Sequence, residues 1–384
     1  MLTEKRVPNR PNVRIILISK SDLGSGNFTT MQRIKKGIND LKEQDICVFQ
    51  MGLETKSINE RLSETNWNGL TILIGLNIDR TAFLSSYVSS NTKLVFICGG
   101  TDVNESVKNP TKLQRMSEAI TRSSATVAFG VSLKKQFLSF WPEYKGLLRI
   151  IPQTACVIEP TQIHCKSVIS SLESKLAVTL ESFILFAGRL RPIKDPAYSL
   201  KPFLRLAEDR RDLHLQLLFV GSVVSGSYFV VNKLFLGRVL YDSVQWVESI
   251  PQSDLHALMA SAICLINSSL SEGQALSIIE AMALGCPVVA RHIPGNVDLI
   301  EHEKTGLLYD SQEGNRAVET FRDSPIAGYR RLGLKECFER LLDDHKLRSL
   351  ISRNARMKSR DALQYHKEAN SYLNLIDEIL RHDI

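Results

Sequence analysis

The stretch CLINSSLSEGQALSIIEAMALGCPVVA, residues 264–290, decides the fold of the second half of this chain. It starts with a short apolar strand at 264–266, and a polar turn follows. Glu272 and Gly273 then open a predicted helix, which ends at Gly285 because glycine just past the last turn is a strong stop signal. The next apolar run reads as another strand, so the stretch predicts one strand–turn–helix–strand unit.

The start of this helix has the chemistry of an anion site. Free N–H groups and the helix dipole at a helix start suit a phosphate group. Glu272 would repel an anion there and is better suited to accept hydrogen bonds from sugar hydroxyls. Glu280 lies about 12 Å further along a regular helix, so the two carboxylates could hold the two ends of one ligand. For two glutamates taken alone, solvated helix carboxylates are the commoner explanation.

The longer run SEGQALSIIEAMALGCPVVARHIPGNVDLIEHEKTGLLYD resembles the E-x7-E signature of the retaining nucleotide-sugar glycosyltransferases of family 4. The resemblance implies an α/β chain with the GT-B architecture, in which two Rossmann-like domains face a central cleft and a C-terminal helix crosses back to the N-domain. It also implies that Glu280 holds the nucleotide ribose, and that Glu272 and nearby amides position sugar and phosphate. The donor-binding residues expected in this segment are Gly273, Gln274, Ala275, Leu276 and Glu280.

The length and composition of the chain fit two soluble globular domains. Its 384 residues are too many for one ordinary core. The formal net charge of +7 fits phosphates or peripheral contact with an acidic membrane surface. The lack of a dense Lys/Arg run with aromatic residues argues against nucleic acid as a partner, and no apolar run has the length of a transmembrane span. The seven cysteines lack metal-ligand spacing, which favours reduced thiols and a cytoplasmic protein.

Apolar runs alternate with helical stretches along the first half, which is the pattern of a mostly parallel sheet. The predicted strands there are RIILIS (14–19), ICVFQM (46–51), TILIGL (71–76), KLVFIC (93–98), ATVAFG (125–130) and LLRIIP (147–152). A second series starts with FILFAG (183–188), after a linker near 172–182. We therefore expect an acceptor-side domain at 1–175, a nucleotide-sugar-binding domain at 182–355 and, from the resemblance, a helix at 356–384 that packs back on the first domain.

Two turns that follow strands in the first half are candidates for the acceptor side, because ligands of open parallel sheets bind beyond the carboxyl ends of the strands. The Gly-rich loop at 21–27 is the first, although on its own a tight turn explains it better. GGTDVNE at 99–105 is the second, and a helix cap at Asp102 or Asn104 also explains it. Within the resemblance both turns face the donor. The residues expected there are Gly26, Asn27, Thr30, Gly100, Thr101, Asp102 and Asn104.

Arg189 and Lys194 follow a buried strand in an arrangement that resembles the family pattern G-R-L-x(n)-K. In the family these cations bind the leaving diphosphate, where they stabilise charge that grows in the transition state. Taken alone, two surface cations explain the pattern as well. The resemblance implies Arg189, Lys194 and Glu272 as catalytic residues. The turns at Gly188, Gly221 and Ser222 are expected to line the donor site.

The sequence shows no pattern of metal ligands. Its histidines lack ligand spacing, and neither H-E-x-x-H nor a D-x-D at a strand end occurs. We therefore expect no metal and no cofactor, with the nucleotide sugar as co-substrate and Arg189, Lys194 and helix N-termini in place of an ion. A dinucleotide enzyme is disfavoured, because Thr29 occupies the third glycine position of that fingerprint.

The resemblance implies a retaining, metal-independent, hexosyltransferase-type enzyme that moves a sugar from a nucleotide-diphosphate sugar to an unknown hydroxyl acceptor. Three positions depart from the family pattern: Gly99 stands where many members have histidine, Ala275 replaces a glycine, and Glu248 replaces the glycine that is common after the strand near 247. The missing histidine motivates a second hypothesis, a non-catalytic nucleotide-sugar-binding or regulatory protein on the same fold.

Overall fold

The computed structural model describes residues 12–21, 26–41, 45–64, 67–224, 242–311, 332–362 and 364–382. The strands in these ranges are β1 (Val13–Ile18), β2 (Ile46–Met51), β3 (Leu70–Leu76), β4 (Thr92–Ile97), β5 (Ala125–Ala128), β6 (Leu147–Ile150), β7 (Phe183–Ala187), β8 (Gln216–Val220), β9 (Val244–Val247), β10 (Cys264–Asn267), β11 (Val288–Arg291) and β12 (Leu307–Tyr309). The α-helices are α1 (Gly26–Asp40), α2 (Thr55–Leu62), α3 (Ile78–Thr81), α4 (Thr101–Asn104), α5 (Pro110–Thr121), α6 (Val131–Phe140), α7 (Gln162–Leu176), α8 (Leu200–Asp209), α9 (Gln252–Ser261), α10 (Leu276–Leu284), α11 (Pro294–Val297), α12 (Leu334–Asp343), α13 (His345–Ala362) and α14 (Tyr365–His382). The chain divides into two compact units, one formed by the chain up to Ala155 together with α14, and one from Cys156 to Ala362.

The first unit is built on a six-stranded sheet with the order β2-β1-β3-β4-β5-β6. Every neighbouring pair in it is parallel. β1 lies between β2 and β3, with Ile16 opposite Phe49 on one side and Leu73 on the other. All six side chains of β1 are buried, which explains why its sequence is almost continuously apolar.

The second unit repeats this plan with the order β12-β11-β10-β7-β8-β9, again with parallel neighbours. β10 lies inside the sheet, where Leu265 is paired with Leu185 of β7 and Val288 of β11. The loops that follow β7, β8, β10 and β11 therefore meet at one edge of the sheet, which is where ligands of such sheets bind.

The helix α14 completes the core of the first unit. Its buried side chains Ala369, Tyr372, Leu373, Leu375, Ile376 and Ile379 belong to the same apolar cluster as β1 and β3. A buried ion pair joins Arg33 of α1 to Glu368 of α14, with an Nε–Oε2 distance of 2.7 Å. Arg33 and Glu368 are 3% and 1% exposed, so this pair ties the end of the described chain to its beginning.

The division between the units falls after Ala155, earlier than the linker expected near 172–182. The reason is that α7 packs against α9 inside the second unit. The side chains of His164 and Asp254 lie 2.9 Å apart across this contact, and the N–H of Ile158 donates to Nδ1 of His256 at 3.2 Å. At the other end, α13 runs to Ala362 within the second unit, so the segment that returns to the first unit is α14 and not all of 356–384.

None of the helices in the described part of the chain combines the length and the apolar character needed to cross a lipid bilayer.

Candidate active site

The turns after β7 and β8 touch each other through glycine. Gly188 and Gly221 have φ angles of 152° and 157°, and a Cβ on Gly221 would lie 1.9 Å from the carbonyl oxygen of Gly188. Glycine is required at position 221 because no side chain fits between these two backbones. The pairing continues beyond the strands, since the N–H of Leu190 donates to the carbonyl of Ser222 at 2.9 Å. Gly188, Gly221 and Ser222 are thus brought together, as the sequence predicts.

The loop that contains Lys194 is fixed to the turn after β10. The N–H of Leu270 donates to the carbonyl of Ile193 at 2.8 Å. The hydroxyl of Ser268 donates to the carbonyls of Lys194 and Asp195, at 3.0 and 2.9 Å. These bonds place two segments that are far apart in sequence side by side, and they set the position from which Lys194 extends.

Lys194 and Glu272 form an ion pair at this edge of the sheet. The carboxylate of Glu272, 9% exposed, also accepts hydrogen bonds from the hydroxyl of Ser269 at 2.6 Å and the amide of Asn267 at 3.3 Å. Burial alone would raise the pKa of Glu272, but Lys194 and these donors outweigh it and hold the pKa below its ordinary value. Glu272 is therefore a carboxylate at neutral pH, able to accept hydrogen bonds but not to donate a proton.

Arg189 lies half-buried between Gly188 and Leu190, in the turn that is paired with the turn after β8. The backbone of this turn is thereby held at the edge of the sheet where Lys194 and Glu272 meet. Arg189 and Lys194 belong to one loop between β7 and α8, as the sequence predicts.

The helix that carries Glu280 begins later than expected. α10 starts at Leu276 with Ala275 as its N-cap, whereas the sequence predicted an opening at Glu272 and Gly273. The intervening residues form an extended turn in which Gly273, Gln274 and Ala275 are buried. Glu272 and Glu280 therefore do not share one helix, and the 12 Å spacing of a regular helix does not apply to them. The first N–H groups of α10, at Leu276 and Ser277, have no carbonyl partner within the helix.

Glu280 lies at the middle of α10 and is 9% exposed. The amide nitrogen of Gln252 lies 3.1 Å from Oε1 of Glu280 and 3.0 Å from Nε2 of His256. Burial lowers the pKa of His256, so this imidazole is neutral. Gln252 and His256 of α9 thus hold the carboxylate of Glu280 in one place. Neither residue can be assigned a role from the sequence, because their position beside Glu280 depends on how α9 packs against α10.

Gly295 and Asn296 of α11 are further parts of the site that the sequence analysis left without a role. A Cβ on Gly295 would lie 2.4 Å from the carbonyl oxygen of Glu272 and 2.9 Å from that of Gly273. The fully buried Asn296 donates to Oδ1 of Asn267 at 3.2 Å. The run Pro-Gly-Asn at 294–296 was the available signal, since it begins three residues after the end of β11.

A second ion pair, between Asp195 and Arg291 of β11, stabilises the loop that contains Lys194. Asp195 has a left-handed φ of 42°, and its Oδ2 lies 2.6 Å from Nη2 of Arg291. The guanidinium of Arg291 also lies over the ring of Tyr198, 4.4 Å from the centroid, and Tyr198 stacks on Tyr309. These contacts fix the backbone of residue 195 next to Lys194.

Asp102, expected on the acceptor side, is fully buried. Its carboxylate accepts hydrogen bonds from the N–H groups of Ile78, Gly99 and Val103 at 2.8, 3.0 and 3.0 Å. Burial raises the pKa of Asp102 against the effect of these bonds. Its part in the fold is to pin together the ends of β3 and β4, which corrects the expectation that Asp102 faces a ligand.

The other residues expected in the first unit differ in exposure. Gly100 has a φ of 93° before α4, and Thr101 accepts a hydrogen bond from the amide of Asn77 at 3.1 Å. Gly26 is exposed, and Asn27 and Asn104 are half-buried. Thr30 is 2% exposed and donates to Oε1 of Gln153 at 2.7 Å, which places it in the packed network around Arg33 and not at a ligand-facing surface. Residues 22–25 of the preceding loop lie outside the described ranges.

Within the described ranges, no group of three or more His, Cys, Asp or Glu side chains has the arrangement of a metal site.

Comparisons with known proteins point to sugar transfer. The sequence model of the family described as "Glycosyl transferases group 1" matches residues 171–323. Glycosyltransferase 1 domain-containing protein 1 of Xenopus tropicalis is 30% identical over 304 residues, which are 78% of this chain and 85% of that protein. The D-inositol 3-phosphate glycosyltransferase of Pseudarthrobacter chlorophenolicus is 29% identical over 179 residues, which are 47% of this chain and 39% of that protein.

Solved structures show the same fold at low sequence identity. A sucrose-phosphate synthase of Thermosynechococcus elongatus superimposes with a TM-score of 0.75 at 16% identity and covers 96% of this chain and 99% of its own. HepE of Anabaena, in complex with UDP and glucose, gives a TM-score of 0.71 at 17% identity and covers 95% of this chain and 99% of its own.

Proposed function

From the premise that this chain belongs to the glycosyl transferases group 1 family and has the GT-B fold, we propose that it is a retaining glycosyltransferase. It takes a hexose from a nucleotide-diphosphate sugar, without a metal ion, and transfers it to a hydroxyl group. The observation that carries the proposal is the ion pair of Lys194 and Glu272 at the carboxyl edge of the second sheet, beside the start of α10.

Lys194 and Arg189 bind the diphosphate in this proposal. As the glycosidic bond breaks, negative charge grows on the leaving diphosphate, and two cations aimed at it stabilise the transition state more than the ground state. Glu272 is the counter-charge of Lys194 in the structure. The binding of a diphosphate supplies a second anionic partner for Lys194, and Glu272 is then free to accept hydrogen bonds from sugar hydroxyls.

Retention of configuration follows if the acceptor attacks the face from which the diphosphate leaves. An oxygen of the leaving phosphate then takes the proton of the acceptor hydroxyl, so no protein side chain has to act as the base. An ionised Glu272 is compatible with this scheme, since the step requires a hydrogen-bond acceptor next to the sugar and not an acid.

Glu280 binds the ribose of the donor nucleotide. Gln252 already holds the carboxylate of Glu280 in place, so this side chain loses little conformational freedom when the ribose hydroxyls bind. The structure of HepE was solved with UDP and glucose, which makes UDP-sugars the first donors to test on this chain.

The test is a panel of UDP- and GDP-sugars, with binding measured by calorimetry and turnover by release of the nucleoside diphosphate. Lys194→Ala should retain the fold and lose more than about tenfold in turnover, because one cation at the leaving group is worth at least 1.4 kcal/mol in the transition state. Lys335→Ala is the matched control, since Lys335 forms an ion pair with Glu339 on the surface of the same unit. Equal turnover of Lys194→Ala and the control would contradict the assignment.

Glu280→Ala should weaken the affinity for the donor and leave the fold intact, because a ribose contact is lost. Unchanged donor affinity in calorimetry would show that Glu280 has another role.

Metal independence has its own test. Incubation with EDTA should leave turnover nearly unchanged, because the proposal gives the charge of the diphosphate to Lys194, Arg189 and the helix start. Loss of activity that Mn²⁺ or Mg²⁺ restores would reject this part of the proposal.

The alternative, a non-catalytic binder on the same fold, is favoured by one observation. Gly99 stands where many family members have histidine, and the neighbouring Asp102 is buried under three backbone amides. Donor binding by the wild type without turnover on any acceptor, and without hydrolysis, would favour this alternative.

A further inference from the structure

A cavity lies at the opposite edge of the second sheet from Lys194 and Glu272. Its volume is about 930 Å³. Ser182, Ile263 and Pro287, which directly precede β7, β10 and β11, form part of its wall. The candidate active site follows the carboxyl ends of the same strands, so the length of a strand, about 17 Å for five residues, separates the two places.

Four arginines of α13 line this cavity, and their spacing is that of one helix face. Arg348, Arg356 and Arg360 stand at multiples of four residues, with Ser352 at the remaining position of the row, and Arg353 lies in the neighbouring row. Arg348 and Arg360 are about 18 Å apart along the helix axis. Like charges spaced in this way repel each other and weaken a helix, so the arrangement is costly unless an anion binds to it.

The cavity keeps its positive charge despite two nearby acids. Among its described lining residues Glu181 is the only carboxylate, against the four arginines. Glu159 lies outside the lining and pairs with Arg356 at 3.0 Å. Nη2 of Arg348 lies 3.1 Å from Nδ1 of His345. With Glu181 and Glu159 both counted, the four arginines leave two positive charges in excess, next to the hydroxyls of Ser182, Ser349 and Ser352.

Arg356 is fixed in this wall. Its Nη2 donates to the carbonyl of Leu284 at the end of α10, at 3.0 Å. Its Nε is buried without a hydrogen-bond partner among the described residues, beside Gly285. Arg353 and Arg360 are exposed at the mouth of the cavity. One arginine is thus anchored by the fold, and two others are available to a ligand.

We propose that this cavity is a second binding site, separate from the donor site, for a ligand that carries a phosphate monoester. Guanidinium groups and hydroxyls are the donors that match phosphate oxygens, and the planar fork of arginine binds two of these oxygens at once. The volume is sufficient for a phosphate together with an organic group of moderate size. The ligand is a free phosphorylated molecule or the headgroup of an anionic lipid, which share this chemistry.

The first experiment is equilibrium dialysis of the full chain with radiolabelled inorganic phosphate at low ionic strength. Arg353→Gln/Arg360→Gln should weaken phosphate binding at least tenfold, with unchanged thermal unfolding, because both side chains are exposed and Arg356 is left in place. Arg205→Gln/Arg211→Gln is the matched control, since it removes the same charge from exposed positions of the same unit. Lys194→Ala should leave phosphate binding at the cavity in place.

Phosphate binding that both arginine variants weaken equally would overturn the proposal, because general charge would then explain it. Binding that Lys194→Ala abolishes and Arg353→Gln/Arg360→Gln retains would overturn it as well, since the donor site would be the place of binding.

The second experiment distinguishes the sources of the phosphate. Vesicles of phosphatidylcholine with phosphatidic acid are sedimented with the wild type and with Arg353→Gln/Arg360→Gln. Sedimentation that depends on these arginines identifies a lipid headgroup, and dialysis binding without sedimentation identifies a free phosphorylated molecule. Neither binding nor sedimentation by the wild type would refute the site.

Discussion

At the scale of single residues, Glu272 shows how a buried carboxylate is kept ionised. Its environment provides one cation and two neutral donors, from Lys194, Ser269 and Asn267. The consequence is an effect of pH on stability. A carboxyl group whose pKa is depressed by folding stabilises the folded state above its unfolded pKa, and this stabilisation is lost as the pH falls through the folded pKa.

Glu272→Gln should therefore lower the free energy of unfolding by about 1–3 kcal/mol at pH 7, because Lys194 loses its counter-charge. The difference from wild type should be complete above the ordinary pKa of 4.5 and should shrink at lower pH. Urea unfolding between pH 3 and pH 7 measures it.

Glu301→Gln serves as the control for this measurement. Glu301 pairs with Lys358 but is 55% exposed, so its loss should change the free energy of unfolding by less than about 1 kcal/mol at pH 7. A pH-independent gap between Glu272→Gln and wild type would contradict the ionised state of Glu272.

Gly295→Ala tests the contact between α11 and the turn that holds Glu272. The new methyl group would overlap the carbonyl oxygens of Glu272 and Gly273, so we expect this turn to shift and donor affinity to fall by at least tenfold. Gly333→Ala is the matched control, because nothing lies within 4 Å of a Cβ at that position. Calorimetric titration of both variants with a donor decides the matter, and normal affinity of Gly295→Ala would contradict the expected shift.

The position of a site residue could be predicted from the sequence where a charged residue follows a strand. Lys194 and Glu272 were both predicted to lie at the carboxyl edge, and the structure brings them together. For Asp102 the sequence left a ligand-facing residue and a helix cap open, because a buried cap and an exposed ligand use the same short polar side chain. The difference depends on whether the ends of β3 and β4 enclose the carboxylate, and local sequence does not contain that information.

At the scale of secondary-structure elements, the contact of α1 with α14 depends on one buried ion pair. Arg33 binds both carboxylate oxygens of Glu368, at 2.7 and 2.9 Å, and the hydroxyl of Thr154 donates to Glu368 at 2.6 Å. A pair of this kind adds little net stability compared with apolar side chains, but the removal of one partner leaves a buried charge without compensation.

Arg33→Met should therefore destabilise the protein by about 3–5 kcal/mol, and Arg33→Met/Glu368→Leu should recover most of this loss. Denaturation in urea measures both variants. Lys36→Met on the exposed side of α1 is the control, since Lys36 is 60% exposed and its pair with Asp40 adds little. A double variant as unstable as Arg33→Met would show that the pair is required for another reason.

Boundaries of elements were harder to predict than their existence. The sequence placed a helix around Glu280 correctly, yet α10 starts at Leu276, because the polar residues before it form an extended turn against α11. The linker was expected near 172–182, but α7 extends into this region as far as Leu176, because it packs on α9. Tertiary contacts determine both boundaries, and the helix propensity of the local sequence does not.

At the scale of the whole molecule, the pattern of buried strands was enough to predict two parallel sheets, and the GT-B fold is confirmed by solved structures that cover nearly the whole chain. The apolar runs could be recognised as strands because strands covered on both faces need apolar residues at nearly every position. The unit against which each helix packs could not be predicted from such a pattern, since the position of α14 in the first unit depends on contacts between distant segments.

Removal of the residues after Ala362 tests this arrangement. The truncated chain loses α14, and with it Tyr372 and Ile376, which are 1% exposed in the full chain. We expect the first unit to unfold at a much lower temperature, while the unit from Cys156 to Ala362 keeps its own transition. Differential scanning calorimetry of both chains measures this, and an unchanged thermogram would show that α14 is dispensable.

The order of synthesis on the ribosome has a consequence here. More than 200 residues separate Ala155 from α14. At a translation rate of about 5–20 residues per second, α14 is synthesised on the order of tens of seconds after the strands of the first sheet. The part translated later can finish first, since its strands and helices are contiguous in the message. During this interval the apolar face reserved for α14 is accessible to chaperones, and slower elongation or a chaperone shortage would reduce the yield of the first unit before that of the second.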